Sequence, residues 1–119
     1  MTDKLSPHVA ILMATYNGSR FIQQQLDSII HQRYTNWSLW ISDDGSNDGT
    51  RDLITEFARQ VPGNKISMVK GPGLGATRNF MALLNNPKIV ADFVSLADQD
   101  DFWLPDHISR AVANAPRDT

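Results

Sequence analysis

The chain contains no cysteine, which excludes a disulfide framework, a thiol nucleophile and a cysteine zinc site, and fits a reducing cytoplasm. Nor does one sign of charge prevail. Eleven basic side chains face 13 acidic ones, and the net charge of −2 gives no global pull toward nucleic acid or an anionic membrane. Long hydrophobic runs are also missing. The early apolar run, residues 9–14, is too short for a signal-peptide core or a membrane span. What remains is 119 residues, 41% hydrophobic and 20% charged, the profile of one soluble globular domain.

The pattern along the chain alternates strand and helix. Strands are predicted over residues 8–14, 37–42, 65–69 and 92–97. Helices are predicted over residues 19–32, 51–61, 76–84 and 105–114. The first helix carries Phe21, Ile22, Leu26, Ile29 and Ile30 as one apolar stripe. Thr50 is placed to cap the second, Asn85-Asn86-Pro87 stops the third, and Pro105 suits the first position of the last. Residues 114–119 are polar and helix-stopping. Alternation with apolar strands implies an α/β fold, a Rossmann-like parallel sheet of about four strands with helices on both faces.

Two acidic clusters follow strand-like runs. Leu39-Trp40-Ile41-Ser42 leads into Asp43-Asp44-Gly45-Ser46, and Phe93-Val94-Ser95-Leu96-Ala97 leads into Asp98-Gln99-Asp100-Asp101. In a parallel sheet both emerge at the carboxyl edge, where open α/β sheets bind ligands. A carboxylate of the first cluster suits an imide N–H of uracil or thymine, or the N–H pair of guanine. The three carboxylates of the second repel one another unless neutralised, and hard oxygen donors suit magnesium or manganese shared with phosphates. Each cluster, taken alone, also fits a solvated turn.

Thr15-Tyr16-Asn17-Gly18, after the first strand, reads either as a tight turn or as a base platform with a helix start for a phosphate. Arg78, early on a helix after a glycine-rich loop, is within reach of a phosphate but also fits an exposed helix arginine. His8, His31 and His107 show no zinc spacing.

These loops, in this order, resemble family 2 glycosyltransferases of the GT-A fold, through residues 9–18, 41–50 and 96–105. Asp98-Gln99-Asp100-Asp101-Phe102-Trp103, and Gly75-Ala76 followed by Asn79-Phe80 and Leu83-Leu84, resemble the bacterial rhamnosyltransferase-type members that build surface polysaccharides. The resemblance implies that Thr15, Tyr16 and Asn17 line a nucleotide pocket and that Asp44 contacts the base. It places Asp98-Gln99-Asp100 at the family's Asp-x-Asp motif. Asp100, with Asp98, is then the ligand of Mg2+ or Mn2+, Asp98 or Gln99 approaches the ribose, and Trp103 walls the sugar site.

The implied reaction is inverting transfer from a nucleotide-sugar donor to a saccharide or lipid-linked saccharide acceptor. The implied place is the cytoplasm, at the inner face of the membrane in a full-length protein. In the family, the acceptor half and its catalytic base follow the Asp-x-Asp region. The chain is therefore expected to be a donor-binding half, with the base beyond Thr119 and a truncated face that self-associates. A catalytically dead nucleotide-sugar-binding module shares every one of these motifs. A phosphoacceptor receiver domain does not, because it needs its acid pair after strand one, where this chain has Thr15-Tyr16-Asn17.

Overall fold

The computed structural model describes residues 6–114. Its four strands are β1 (Val9–Thr15), β2 (Trp37–Asp43), β3 (Ile66–Lys70) and β4 (Phe93–Asp98). The helices are α1 (Ile22–Ile30), α2 (Thr50–Gln60), α3 (Ala76–Leu84) and α4 (His107–Ala113). All strand pairs are parallel, in the order β3-β2-β1-β4. The α/β architecture predicted from alternation is therefore the observed one. Of the polar tail, residues 115–119 lie outside the described residues.

Alternation along β1 divides the core. Val9, Ile11 and Met13 join Leu39 and Ile41 of β2 against Ile22, Leu26 and Ile29 of α1, Ile54 of α2 and Ile108 of α4. Ala10 and Leu12 face the other way, against Leu83 of α3. Full burial of one such aliphatic side chain contributes about 1.5–3 kcal/mol, and the first cluster holds most of the buried apolar residues. Phe21, assigned to the α1 stripe, is instead exposed, because α1 begins only at Ile22.

Two helix starts differ from expectation. Gly49, at φ 95°, caps α2 in place of Thr50, whose hydroxyl is used elsewhere. Pro105 precedes α4 in a turn, where its carbonyl accepts the Arg33 N–H at 2.8 Å. The expectation of a sheet buried on both faces holds for β1 but not for β4. Alpha-helix α3 packs on β1 and β2, leaving Val94 and Leu96 of β4 50% and 55% exposed. Apolar surface on the fourth strand was expected; on α4, Ile108 is buried and Val112 packs against the core. Among the described residues, no helix is long and apolar enough to cross a membrane.

Candidate functional site

Three loops meet at the carboxyl edge, and two of them are stitched together. After β1, the N–H groups of Asn17, Gly18 and Ser19 donate to Ser46 Oγ (2.8 Å), Thr50 Oγ1 (2.9 Å) and Asp48 Oδ2 (3.1 Å). Asn17, at φ 47°, returns the link by accepting the Asn47 N–H on Oδ1 at 2.9 Å. These amides are consumed by protein partners, so they do not form the phosphate site read from the sequence. The turn reading of Asn17 is the one observed.

Asp48 anchors the stitch. Its Oδ1 accepts the Thr50 hydroxyl at 2.5 Å and the Thr50 N–H at 3.1 Å. The Thr50 hydroxyl bond is the largest cause; with the Ser19 contacts and the Thr50 N–H it outweighs the opposing effect of desolvation and holds the carboxyl at about 2, below the usual 3.8.

The acid pair after β2 splits. Asp43 is buried and accepts from Thr15 Oγ1 (2.7 Å), Ser46 Oγ (2.6 Å), Ser46 N–H (2.9 Å) and Gly45 N–H (3.3 Å). Thr15 is thus buried and committed to Asp43, and it is not among the residues lining the cavity beside Asp44. Asp44 turns the other way. It lines a cavity of about 360 Å³ with Ala14, Tyr16, Gly73, Gly75, Ala76 and Asn79. Its two oxygens accept the N–H groups of Gly73 (2.5 Å) and Gly75 (3.1 Å). Gly71 makes that approach possible, since a Cβ there would fall 2.5 Å from Asn79 Oδ1 and 2.7 Å from Asp44 Oδ1. Asn79 is buried and donates to the Ser42 carbonyl at 2.8 Å, while its Oδ1 and the Ser42 hydroxyl have no partner among the described residues.

The acidic loop lies one strand away. Ala14 is the register partner of Ser42 on one side and Asp98 on the other, so these three side chains share the cavity face of the sheet. The Asp98 and Asp100 carboxylates are exposed and accept no hydrogen bond among the described residues. No group of three or more His, Cys, Asp or Glu is gathered into a metal cage among those residues. Two free hard-oxygen donors fit a cation shared with ligand phosphates rather than one enclosed by protein.

The Gln99 amide is occupied by the main chain of Tyr16. Its Oε1 accepts the Tyr16 N–H at 2.9 Å and its Nε2 donates to the Tyr16 carbonyl at 3.1 Å. Tyr16 itself is 55% exposed and lines the cavity. Trp103 lies away from that cavity: it is 3% exposed, belongs to the core, stacks on His107 at 4.1 Å and is not among the residues lining the Asp44 cavity. An indole of that size gains more from the apolar cluster than from solvent. Arg78 is exposed on α3 and is not among the residues lining the cavity.

A profile described as glycosyl transferase family 2 matches residues 10–119. The chain belongs to that family. It is 40% identical over 103 residues to the dTDP-rhamnosyl transferase RfbG of Shigella flexneri, covering 84% of this chain and 35% of that protein. It is 27% identical to the UDP-Glc:alpha-D-GlcNAc-diphosphoundecaprenol beta-1,3-glucosyltransferase WfgD of Escherichia coli, over 89% of this chain and 41% of that one. Among solved structures, the mannosyltransferase PcManGT of Pyrobaculum calidifontis, in complex with GDP-Man and Mn2+, matches with a TM-score of 0.81 and 25% identity. That match covers 89% of this chain and 31% of that one. The GT-A fold implied by the resemblance is thus the fold observed, and the chain spans about a third of the length of the curated relatives it matches.

Sequence reasoning missed the support beneath the acidic loop of this family 2 chain. Gln25 Nε2 donates to the Asp98 carbonyl at 2.8 Å, Ser28 Oγ accepts the Trp103 N–H at 3.1 Å, and Gln32 Nε2 donates to the Leu104 carbonyl at 2.6 Å. Gln32 Oε1 also accepts the Ile108 N–H at 2.9 Å. All three are buried. The available signal was their spacing, which keeps them beside Leu26 and Ile29 on the inward face of α1.

Proposed function

We propose that the chain binds the nucleotide-diphosphate-sugar donor of an inverting glycosyltransferase that builds bacterial surface polysaccharide on the cytoplasmic side of the membrane. The observation that carries this reading is the placement of Asp44, in a 360 Å³ cavity, on the same sheet edge as the free carboxylates of Asp98 and Asp100. Tyr16 offers a ring to a flat base. Asp44 accepts a base N–H: each carboxylate oxygen has two lone pairs, and the glycine amides occupy one on each.

Asp100 and Asp98 would hold Mg2+ or Mn2+. When bound, the cation neutralises charge on the leaving diphosphate. The Mn2+ in the PcManGT complex supports its use, and the names of RfbG and WfgD support a nucleotide sugar and, for WfgD, a lipid-diphosphate-linked saccharide acceptor. An acceptor hydroxyl attacks the anomeric carbon in line, the bond to the diphosphate breaks with its electron pair, and the hydroxyl proton goes to a general base. That base is expected in the part of the relatives' length that this chain does not span.

Calorimetry with UDP, dTDP and GDP, with and without Mn2+, tests the reading. At least one diphosphate should bind more tightly with metal. Asp100→Asn should remove on the order of 1–3 kcal/mol of that metal-linked increment, and Asp48→Asn should leave it in place. Equal affinity with and without metal for all three nucleotides would refute the role of the acidic loop.

A further inference from the structure

Gln99, between the two free carboxylates of the acidic loop, is engaged by the main chain of another loop. The ladder between β1 and β4 ends at Ala14 and Asp98, where the chain after β4 turns away from the sheet. One residue further along, main-chain pairing is replaced by a side chain: the Gln99 amide presents an acceptor to the Tyr16 N–H and a donor to the Tyr16 carbonyl. An uncharged amide of this length offers both complements at once, whereas an ionised carboxylate offers acceptors alone. Gly18 leaves the space, since a Cβ there would collide with the Gln99 amide oxygen.

Resting on the nucleotide-binding reading above, we propose that Gln99 is a positioning residue that fixes the Tyr16 ring at the mouth of the Asp44 cavity. It thereby holds the base pocket and the Asp98–Asp100 carboxylates in one fixed relation. The need is evident in the surroundings of Tyr16. Its ring is half exposed, and the amides that follow it are tied to the second loop, not to the acidic one. The two Gln99 bonds are therefore the side-chain link from the acidic loop to the base platform. Beneath that loop, Gln25 holds the Asp98 carbonyl, so the clamp pulls against a fixed point.

The first test needs no ligand. Amide hydrogen exchange on the 119-residue chain should show the Tyr16 N–H accelerated about fivefold to tenfold by Gln99→Ala, the effect of about one net hydrogen bond. Gly18→Ala should mimic this by displacing the amide. Gln99→Glu, which keeps the acceptor for the Tyr16 N–H and loses only the donor to the Tyr16 carbonyl, should retain more of that protection than Gln99→Ala does. The second test is a cycle. Gln99→Ala should weaken binding of the best of UDP, dTDP and GDP severalfold, and much less in a Tyr16→Ala background.

An equal loss in both backgrounds would mean that Gln99 touches the nucleotide directly. Unchanged Tyr16 exchange in both Gln99→Ala and Gly18→Ala would remove the clamp altogether. If none of the three nucleotides binds the parent chain, that failure falls on the nucleotide-binding reading, and the exchange results still decide the clamp.

Discussion

Asp43 collects four hydrogen-bond donors on the α2 side of the sheet, whereas Asp44 faces the cavity on the α3 side. Alternation at the end of β2 sends the two neighbours to opposite faces. Their substitutions should separate accordingly. Asp43→Ala should cost about 2–3 kcal/mol in urea unfolding, as for lost bonds to a buried charged acceptor. Asp44→Ala should cost far less stability and abolish nucleotide binding; similar stability losses in the two would contradict this division. Asp48 supplies a pH signature. Its carboxyl is held at about 2 in the folded chain against 3.8 in a free one, so its stabilisation is present above 3.8 and drains away as pH falls through about 2. Urea midpoints of Asp48→Asn and the parent should differ at neutral pH and converge in that acid window. A gap that stays constant through it would show that the charge is not what holds the two loops together.

At the scale of elements, α1 does two jobs. Ile22, Leu26 and Ile29 anchor it in the core, while Gln25, Ser28 and, just past its end, Gln32 hold the segment from Asp98 to Ile108. Gln25→Met keeps the volume but orphans the Asp98 carbonyl. It should cost about 1–3 kcal/mol and raise amide exchange across residues 98–104, leaving β2 and β3 unchanged. A uniform rise over the whole chain would indicate simple loss of core packing. The helical period of α1 was legible in its apolar residues. The purpose of its buried glutamines was not, because their partners lie more than 70 residues away in the chain.

Across the whole molecule, the sheet is unevenly covered. Helix α3 shields β1 and β2, and the outward side chains Val94 and Leu96 of β4 stand half exposed beside Ala10 and Leu12. An apolar strand face of this kind favours association. We propose that the 119-residue chain self-associates through this face: it should sediment above monomer mass and Leu96→Lys should return it to monomer, whereas a monomeric parent or an unaffected oligomer would refute this. The chain also spans about a third of its relatives' length. Orienting and deprotonating an acceptor supplies several orders of magnitude in rate, and those groups are expected in the length it does not span. Residues 1–119 should therefore bind donor without sustained transfer to free or lipid-linked saccharides. Turnover above hydrolysis would require a base here, with Asp98, Asp101 and Asp106 the first to replace.

Periodicity and punctuation determined the element order, the parallel sheet and the carboxyl edge where the acidic loops emerge, because those features follow from local preferences and from the pairing rules of parallel strands. The motif order likewise determined the family. Only the tertiary structure decided that Asp43 is buried beneath four donors, that Thr15 serves it, that Trp103 belongs to the core and that the Gln99 amide bonds the main chain of Tyr16. Each of these depends on which distant group a side chain meets when the strands come into register, and a polar residue in a linear sequence carries no mark of its partner.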